Sequence, residues 1–94
     1  GVIMEFEYDP QKSARNLAKH GIDFGEAQML WDDRTVAIPS LADCGEARFV
    51  VLGMIDGKHW SAVVTYRGER VRIISVRRSR TKEARCYDSK ELEH

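Results

Sequence analysis

The strongest constraint on the fold is a run of alternating residues between positions 35 and 77 that is interrupted by two tight turns. Asp56-Gly57 is typical of a two-residue hairpin, because both residues tolerate the positive φ angles that such turns require. Gly68 marks a second tight turn. Strands are therefore predicted at residues 35–38, 46–55, 60–66 and 69–77. The last three should pair as neighbours in an antiparallel meander.

A helix is predicted before this meander. Asp9-Pro10 favours a helix start, since Asp can cap free amides and Pro fits the first helical position. Gly21 should end the helix in the left-handed conformation. The residues predicted to face the core recur at helical spacing: Ala14, Leu17 and Ala18.

The remaining elements complete an α+β chain. Residues 5–8 alternate as a short strand, and Asp23 with Glu26 has the spacing of a capping box for a second helix. Residues 81–91 favour a C-terminal helix. The order β-α-α-β-β-β-β-α predicts a two-layer α+β domain, with helices packed on a small antiparallel sheet. Leu92-Glu93-His94 looks like an affinity-tag remnant, so a single domain is expected over residues 1–91.

Charge is unevenly distributed along the chain. The net charge is zero, yet the stretch from Tyr66 to Tyr87 carries eight basic residues against two acidic ones. This pattern indicates a candidate phosphate surface. The alternative is a charged edge strand and a solvated helix, which proteins use to prevent sheets from aggregating.

Several classes of protein are not favoured by the sequence. The longest apolar run, residues 49–52, is too short to span a membrane, and the N-terminus lacks a secretory pattern. Cys44 and Cys86 are expected to be reduced, which places the chain in the cytoplasm. The three histidines show no metal-ligand spacing, so neither a metal nor another cofactor is expected.

Several motifs together resemble the BrnT-type ribonuclease toxins. They begin with Phe6-Glu7-Tyr8-Asp9-Pro10-Gln11-Lys12, continue through Lys19-His20-Gly21 and Phe24-Gly25-Glu26-Ala27, and include Glu46-Ala47-Arg48. Arg72-Ile73-Ile74-Ser75-Val76-Arg77-Arg78, followed by Glu83, Arg85 and Tyr87, completes the pattern. The resemblance implies a RelE-like fold and an endoribonuclease that inhibits translation. It also implies neutralisation by a BrnA-type antitoxin, through which the complex would bind operator DNA.

Metal-free RNA cleavage requires a phosphate ligand and groups that move protons. Arg72, Arg77 and Arg78 are the candidate phosphate clamp, because guanidinium matches phosphate oxygens. If the strand stays regular, Arg72 and Arg78 share one face and Arg77 lies on the other.

Lys12 and His20 are candidates from the first helix. Lys12 lies in the first turn, where the helix dipole disfavours a cation, which makes it a candidate phosphate ligand; alternatively it points to water or pairs with Glu5 or Glu7. His20 could carry a proton near neutral pH, or could simply cap the helix C-terminus.

Three further candidates lie after the two early helices. Glu46 is the expected general base and Arg48 a substrate ligand, although the two could form a salt bridge where their strand begins. Tyr87 could stack on a base or anchor the last helix. Trp31, Trp60 and a solvated His59 are not assigned to the site.

Two other functions compete with RNA cleavage. One is a non-catalytic module of the same fold that binds RNA or a protein. The other is a DNA-binding regulator, which is disfavoured because the two early helices carry acidic residues where a recognition helix needs basic ones.

Overall fold

The structure, a computed structural model, describes residues 4–40 and 47–92. Within these residues a five-stranded sheet has the order β1-β5-β4-β3-β2. The elements are β1 (Glu5–Glu7), α1 (Pro10–His20), α2 (Phe24–Ala27), a 3₁₀ helix (Gln28–Asp32), β2 (Val36–Pro39), β3 (Phe49–Ile55), β4 (Lys58–Arg67), β5 (Arg70–Arg78) and α3 (Thr81–Leu92).

The predicted α+β order is confirmed, with one correction to the sheet. β2 to β5 form the expected antiparallel meander, but β1 pairs parallel to β5, so the sheet is mixed rather than antiparallel. A parallel neighbour needs a long connection, and residues 8–69 run between β1 and β5. Asp56 and Gly57 have φ angles of 50° and 74°, as the predicted hairpin requires.

One face of the sheet carries the hydrophobic core. Phe24 and Leu30 are fully buried against this face, and Phe6 and Trp31 pack beside them edge to face. Burial of such side chains contributes about 1.5–3 kcal/mol each. The core residues of the sheet are Val51, Ala62, Val64, Val71, Ile73 and Val76. Trp60 is partly buried at the edge of this cluster.

The buried face of α1 is polar, and the predicted stripe of Ala14, Leu17 and Ala18 is wrong. All three are exposed, whereas Ser13 and Asn16 are buried. The physical reason is that α1 packs on β5 beyond the point where β1 stops pairing with it. There the free peptide groups of the strand need polar partners.

Asn16 supplies those partners. Its Oδ1 accepts from the Val76 N–H at 3.1 Å, and its Nδ2 donates to the Val76 carbonyl at 2.9 Å and to the Ile22 carbonyl at 2.8 Å. The side-chain amide thus takes the place of a neighbouring strand. These hydrogen bonds fix the position of α1 along β5 at Val76.

A β-bulge in β5 changes which of its side chains share a face. Val64 pairs with Ile73 but Val63 pairs with Ser75, so Ile74 is the extra residue. Because cross-strand partners share a face, Arg72 and Arg77 lie together, and Arg78 lies with Trp60 on the core side. The expected grouping of Arg72 with Arg78 is therefore wrong, since it assumed a regular strand.

Gly53 gives a direct test of how tightly the core is packed. A methyl group there would lie 2.7 Å from Cδ2 of the fully buried Leu30. We expect Gly53→Ala to lower the free energy of unfolding by about 1–2 kcal/mol, measured by urea denaturation. Leu30→Ala removes the clash, so the loss in the double variant should be smaller than the sum of the two single losses. Simple additivity would contradict this account.

Candidate active site

A row of polar side chains crosses the sheet on the face opposite the core. Arg72 pairs with Thr65 of β4 on one side and with Glu7 of β1 on the other. Arg48 directly precedes the core-packed Phe49, so alternation places it on the same face as Thr65. Thr65 is buried as the floor of this row and donates to the Ala47 carbonyl at 2.8 Å. Three strands and the residue that precedes β3 therefore contribute to one surface.

Arginines surround Glu7 at this end of the sheet. Its carboxylate lies 3.8 Å from Arg67 Nε, 3.9 Å from Arg70 Nη1 and 3.9 Å from Arg72 Nη1. We call Arg48, Arg67, Arg70, Arg72 and Glu7 the arginine face. These distances exceed hydrogen-bond length, so the opposite charges attract one another, but none of the three contacts is a hydrogen bond.

Two buried polar atoms on the arginine face have no hydrogen-bond partner among the described residues. They are Oε1 of Glu7 and Nε of Arg48. Such atoms are uncommon in folded proteins and carry a desolvation cost of about 1–3 kcal/mol each.

Sequence reasoning did not select Glu7, although a signal was present. Glu5-Phe6-Glu7 alternates, and Phe6 faces the core, so both glutamates belong to the outer face. What sequence could not give was the neighbour of β1. Pairing with β5 is parallel and non-local, and it alone brings Glu7 beside Arg72.

Lys12 and His20 lie in a groove between α1 and β5. It measures about 210 Å³ and is lined by Lys12, Arg15, Asn16, Lys19, His20, Ile74 and Ser75. Ser75 lies on the same face as Arg72, so the groove opens towards the arginine face. Lys12 forms no ion pair with a carboxylate in residues 4–40 or 47–92, contrary to the pairing considered from sequence.

Arg77 shares the face of Arg72 but is bound to α3. Its two terminal nitrogens donate to Glu83 at 2.7 and 2.9 Å, and Ser61 and the Arg80 amide donate to the same carboxylate. The Arg77 hydrogen bonds hold the pKa of Glu83 at about 2, well below its usual 4.5. The same contact raises the pKa of Arg77. The guanidinium of Arg77 is thus occupied by a close carboxylate, whereas Arg72 has only a long ion pair with Glu7.

Arg78 and Tyr87 lie away from the arginine face. Arg78 stands over the Trp60 ring, with Cζ 5.5 Å from its centroid. Tyr87 is buried, donates to the Arg34 carbonyl at 2.9 Å and is covered by the Arg34 guanidinium at 3.9 Å. These contacts agree with the anchoring alternative for Tyr87, since one ring face is already occupied.

His59 was expected to be solvated, but it contacts two side chains of α3. Its Nε2 lies 2.8 Å from Asp88 of α3, and its ring packs edge-on against Tyr87. This contact was not detectable from sequence, because it joins residues 29 positions apart.

Other expectations bear on the surroundings of the site. Glu46 lies outside the described residues, as does Cys44; Cys86 is a free thiol. Among the described residues, no three His, Cys, Asp or Glu side chains are grouped to hold a metal. None of the described helices is long and apolar enough to cross a membrane.

Comparison with known proteins gives the chain a family. A search of curated proteins finds no match. The family model for the ribonuclease toxin BrnT of type II toxin–antitoxin systems matches residues 8–83 of the 94. The match begins immediately after Glu7 and includes Arg48, Arg72 and the α1 groove. Such a family implies an RNA target and a protein antitoxin. The chain therefore belongs to the BrnT family of ribonuclease toxins of type II toxin–antitoxin systems.

Proposed function

We propose that the arginine face is the catalytic surface of an endoribonuclease that cleaves RNA without a metal ion. The observation that carries the proposal is Arg72, paired across the sheet with Glu7 and Thr65 and flanked by three further arginines. Guanidinium groups can neutralise a phosphodiester and stabilise the charge that grows in its transition state. Glu7 adds a proton acceptor beside them.

The reaction we propose is attack by the ribose 2′-hydroxyl on the adjacent phosphorus. The 2′-oxygen forms a bond to phosphorus while the bond to the 5′-oxygen breaks, giving a 2′,3′-cyclic phosphate and a 5′-hydroxyl. The Glu7 carboxylate receives the 2′-hydroxyl proton, and Arg72 and Arg48 hold the phosphate oxygens. His20 or Lys12, from the adjoining groove, returns a proton to the leaving 5′-oxygen.

Three candidates from the sequence do not keep their expected roles in this proposal. Glu46, the base expected from sequence, lies outside the described residues, and Glu7 is the carboxylate found beside Arg72. Arg77 and Arg78 are left out of the clamp, because one is bound to Glu83 and the other lies on the core side.

Glu7→Gln tests the proton acceptor. Glutamine keeps the shape of the side chain but cannot take up the 2′-hydroxyl proton, so we expect the cleavage rate in EDTA to fall by about 10²–10⁴-fold. The matched control is Glu69→Gln, an exposed residue of the β4–β5 turn with the same charge change. The measurement is single-turnover cleavage of a labelled RNA, with detection of the cyclic phosphate.

Three results would contradict the proposal. Equal loss in both variants would indicate a general effect of charge instead of proton transfer. Loss of all wild-type cleavage in EDTA would show that the reaction needs a metal ion. RNA binding without any cleavage product would instead favour the non-catalytic module.

The antitoxin is proposed to act at the same surface. A BrnA-type antitoxin would present acidic side chains to the arginine face and so block RNA in the cytoplasm, relieving the inhibition of translation. Operator DNA would be bound through the antitoxin. Protection of Arg72 from guanidinium-modifying reagents in the complex supports this proposal, and an exposed Arg72 contradicts it.

A further inference from the structure

One side of α1 carries three basic side chains, and we call it the positive flank. The mechanism above uses only Lys12 from it. α1 contains no acidic residue, and Lys12, Arg15 and Lys19 recur at intervals of three and four positions along one side of it. All three are exposed. Like charges at this spacing repel, and Lys12 also lies at the positive end of the helix dipole. Mutual repulsion and the dipole at Lys12 therefore disfavour this arrangement, whereas Lys19, in the last turn, lies at the favourable end of the dipole.

The described part of the chain provides no counter-charge for this flank. No carboxylate in residues 4–40 or 47–92 forms an ion pair with Lys12, Arg15 or Lys19. Arg77, by contrast, is paired with Glu83 within the fold. An external anion would supply this counter-charge.

The flank is one wall of the groove whose other wall is β5. Ile74, the extra residue of the bulge, and Ser75 line the opposite side. The three hydrogen bonds of Asn16 keep α1 and β5 together, so the groove is fixed in the fold. A rigid groove with a positive wall and an apolar contact suits a sugar–phosphate backbone.

The groove adjoins the arginine face, so an RNA bound at that face would extend into the groove. Ser75 belongs both to the groove and to the face that carries Arg72. Lys12 and Lys19 are seven positions apart, about 10 Å along the helix. We propose that the groove binds the backbone of the nucleotides flanking the cut, with Arg15 and Lys19 as phosphate ligands. This proposal rests on the ribonuclease function proposed above.

The test compares Arg15→Ala/Lys19→Ala with the control Lys82→Ala/Arg85→Ala, which removes the same charge from exposed sites on α3. Binding of a 2′-O-methyl decanucleotide is measured over a range of salt concentrations. We expect the slope of log K against log salt to fall by about 0.7 for each lost contact in the groove variant only. The catalytic efficiency on a decanucleotide relative to a dinucleotide should fall roughly tenfold, because only the long RNA reaches the groove.

The outcomes separate this proposal from the proposed function. An unchanged salt slope, or equal loss on both substrate lengths, would overturn the groove assignment. Unchanged RNA binding together with weaker antitoxin binding would also overturn it, since the groove would then be a protein site. If the wild type cuts no RNA but the groove variant still loses salt slope, the cleavage proposal fails and the groove assignment stands.

Discussion

Replacing Arg72 by alanine should lower RNA cleavage by about 10²–10³-fold, the usual cost of removing one donor that stabilises a charged transition state. Arg72 pairs on both sides within the sheet and faces the open surface, with its side chain 31% exposed. Its ion pair with Glu7 is long, at 3.9 Å, and such partly exposed pairs contribute at most about 1 kcal/mol to stability. The melting temperature should therefore change little.

Two further variants identify the cause of the loss. Arg72→Lys keeps the charge but not the planar fork, so it should recover only part of the activity. Arg85→Ala removes one charge from an exposed position on α3 and should cut RNA at the wild-type rate. Full activity in Arg72→Lys would mean that charge alone matters. Full activity in Arg72→Ala would remove the chemical basis of the proposed site.

Local signals made the elements predictable. Asp9 and Asp23 cap α1 and α2 as expected, because capping depends on residues close in sequence. Gly21 ends α1 with a φ angle of 79°. The meander followed from the hairpin turn and from period-two alternation.

The site was less predictable because it depends on non-local geometry. The bulge at Ile74 exchanges the faces of Arg77 and Arg78, and its signal in the sequence is the pair of consecutive apolar residues Ile73-Ile74, which shifts the alternation of β5 by one position. Glu7 gains its role only through parallel pairing with β5. The buried face of α1 is polar because it covers an open strand edge, a case that hydrophobic periodicity cannot detect.

Glu83 is the residue on which the attachment of α3 most depends. Its carboxylate accepts four hydrogen bonds, from both terminal nitrogens of Arg77, from Ser61 and from the Arg80 amide. It therefore joins β5, β4 and the first turn of α3. Removing one member of such a partly buried pair leaves the other charge without its partner, which is costly.

We expect Glu83→Gln to lower the free energy of unfolding by roughly 2–3 kcal/mol, somewhat less than the loss for a fully buried pair. Glutamine can still accept from Arg77 through its oxygen, but its amide group opposes the second guanidinium donor. The measurement is urea denaturation at pH 7. Glu69→Gln, in the exposed β4–β5 turn, is the control and should change stability by less than about 0.5 kcal/mol.

The pH dependence of the stability difference between wild type and Glu83→Gln distinguishes loss of the charge from a disturbance of packing. The pKa of Glu83 is about 2 in the folded chain and near 4.5 when unfolded, so its contribution is complete above about pH 4.5. As pH falls through about 2, the folded carboxylate also takes up a proton and the contribution disappears. The gap in stability between wild type and Glu83→Gln should therefore be constant from pH 5 to 7 and narrow steadily below pH 4.5. A gap that persists at its full size near pH 2 would mean that glutamine disturbs packing, and that the Arg77–Glu83 ion pair does not hold α3 on the sheet.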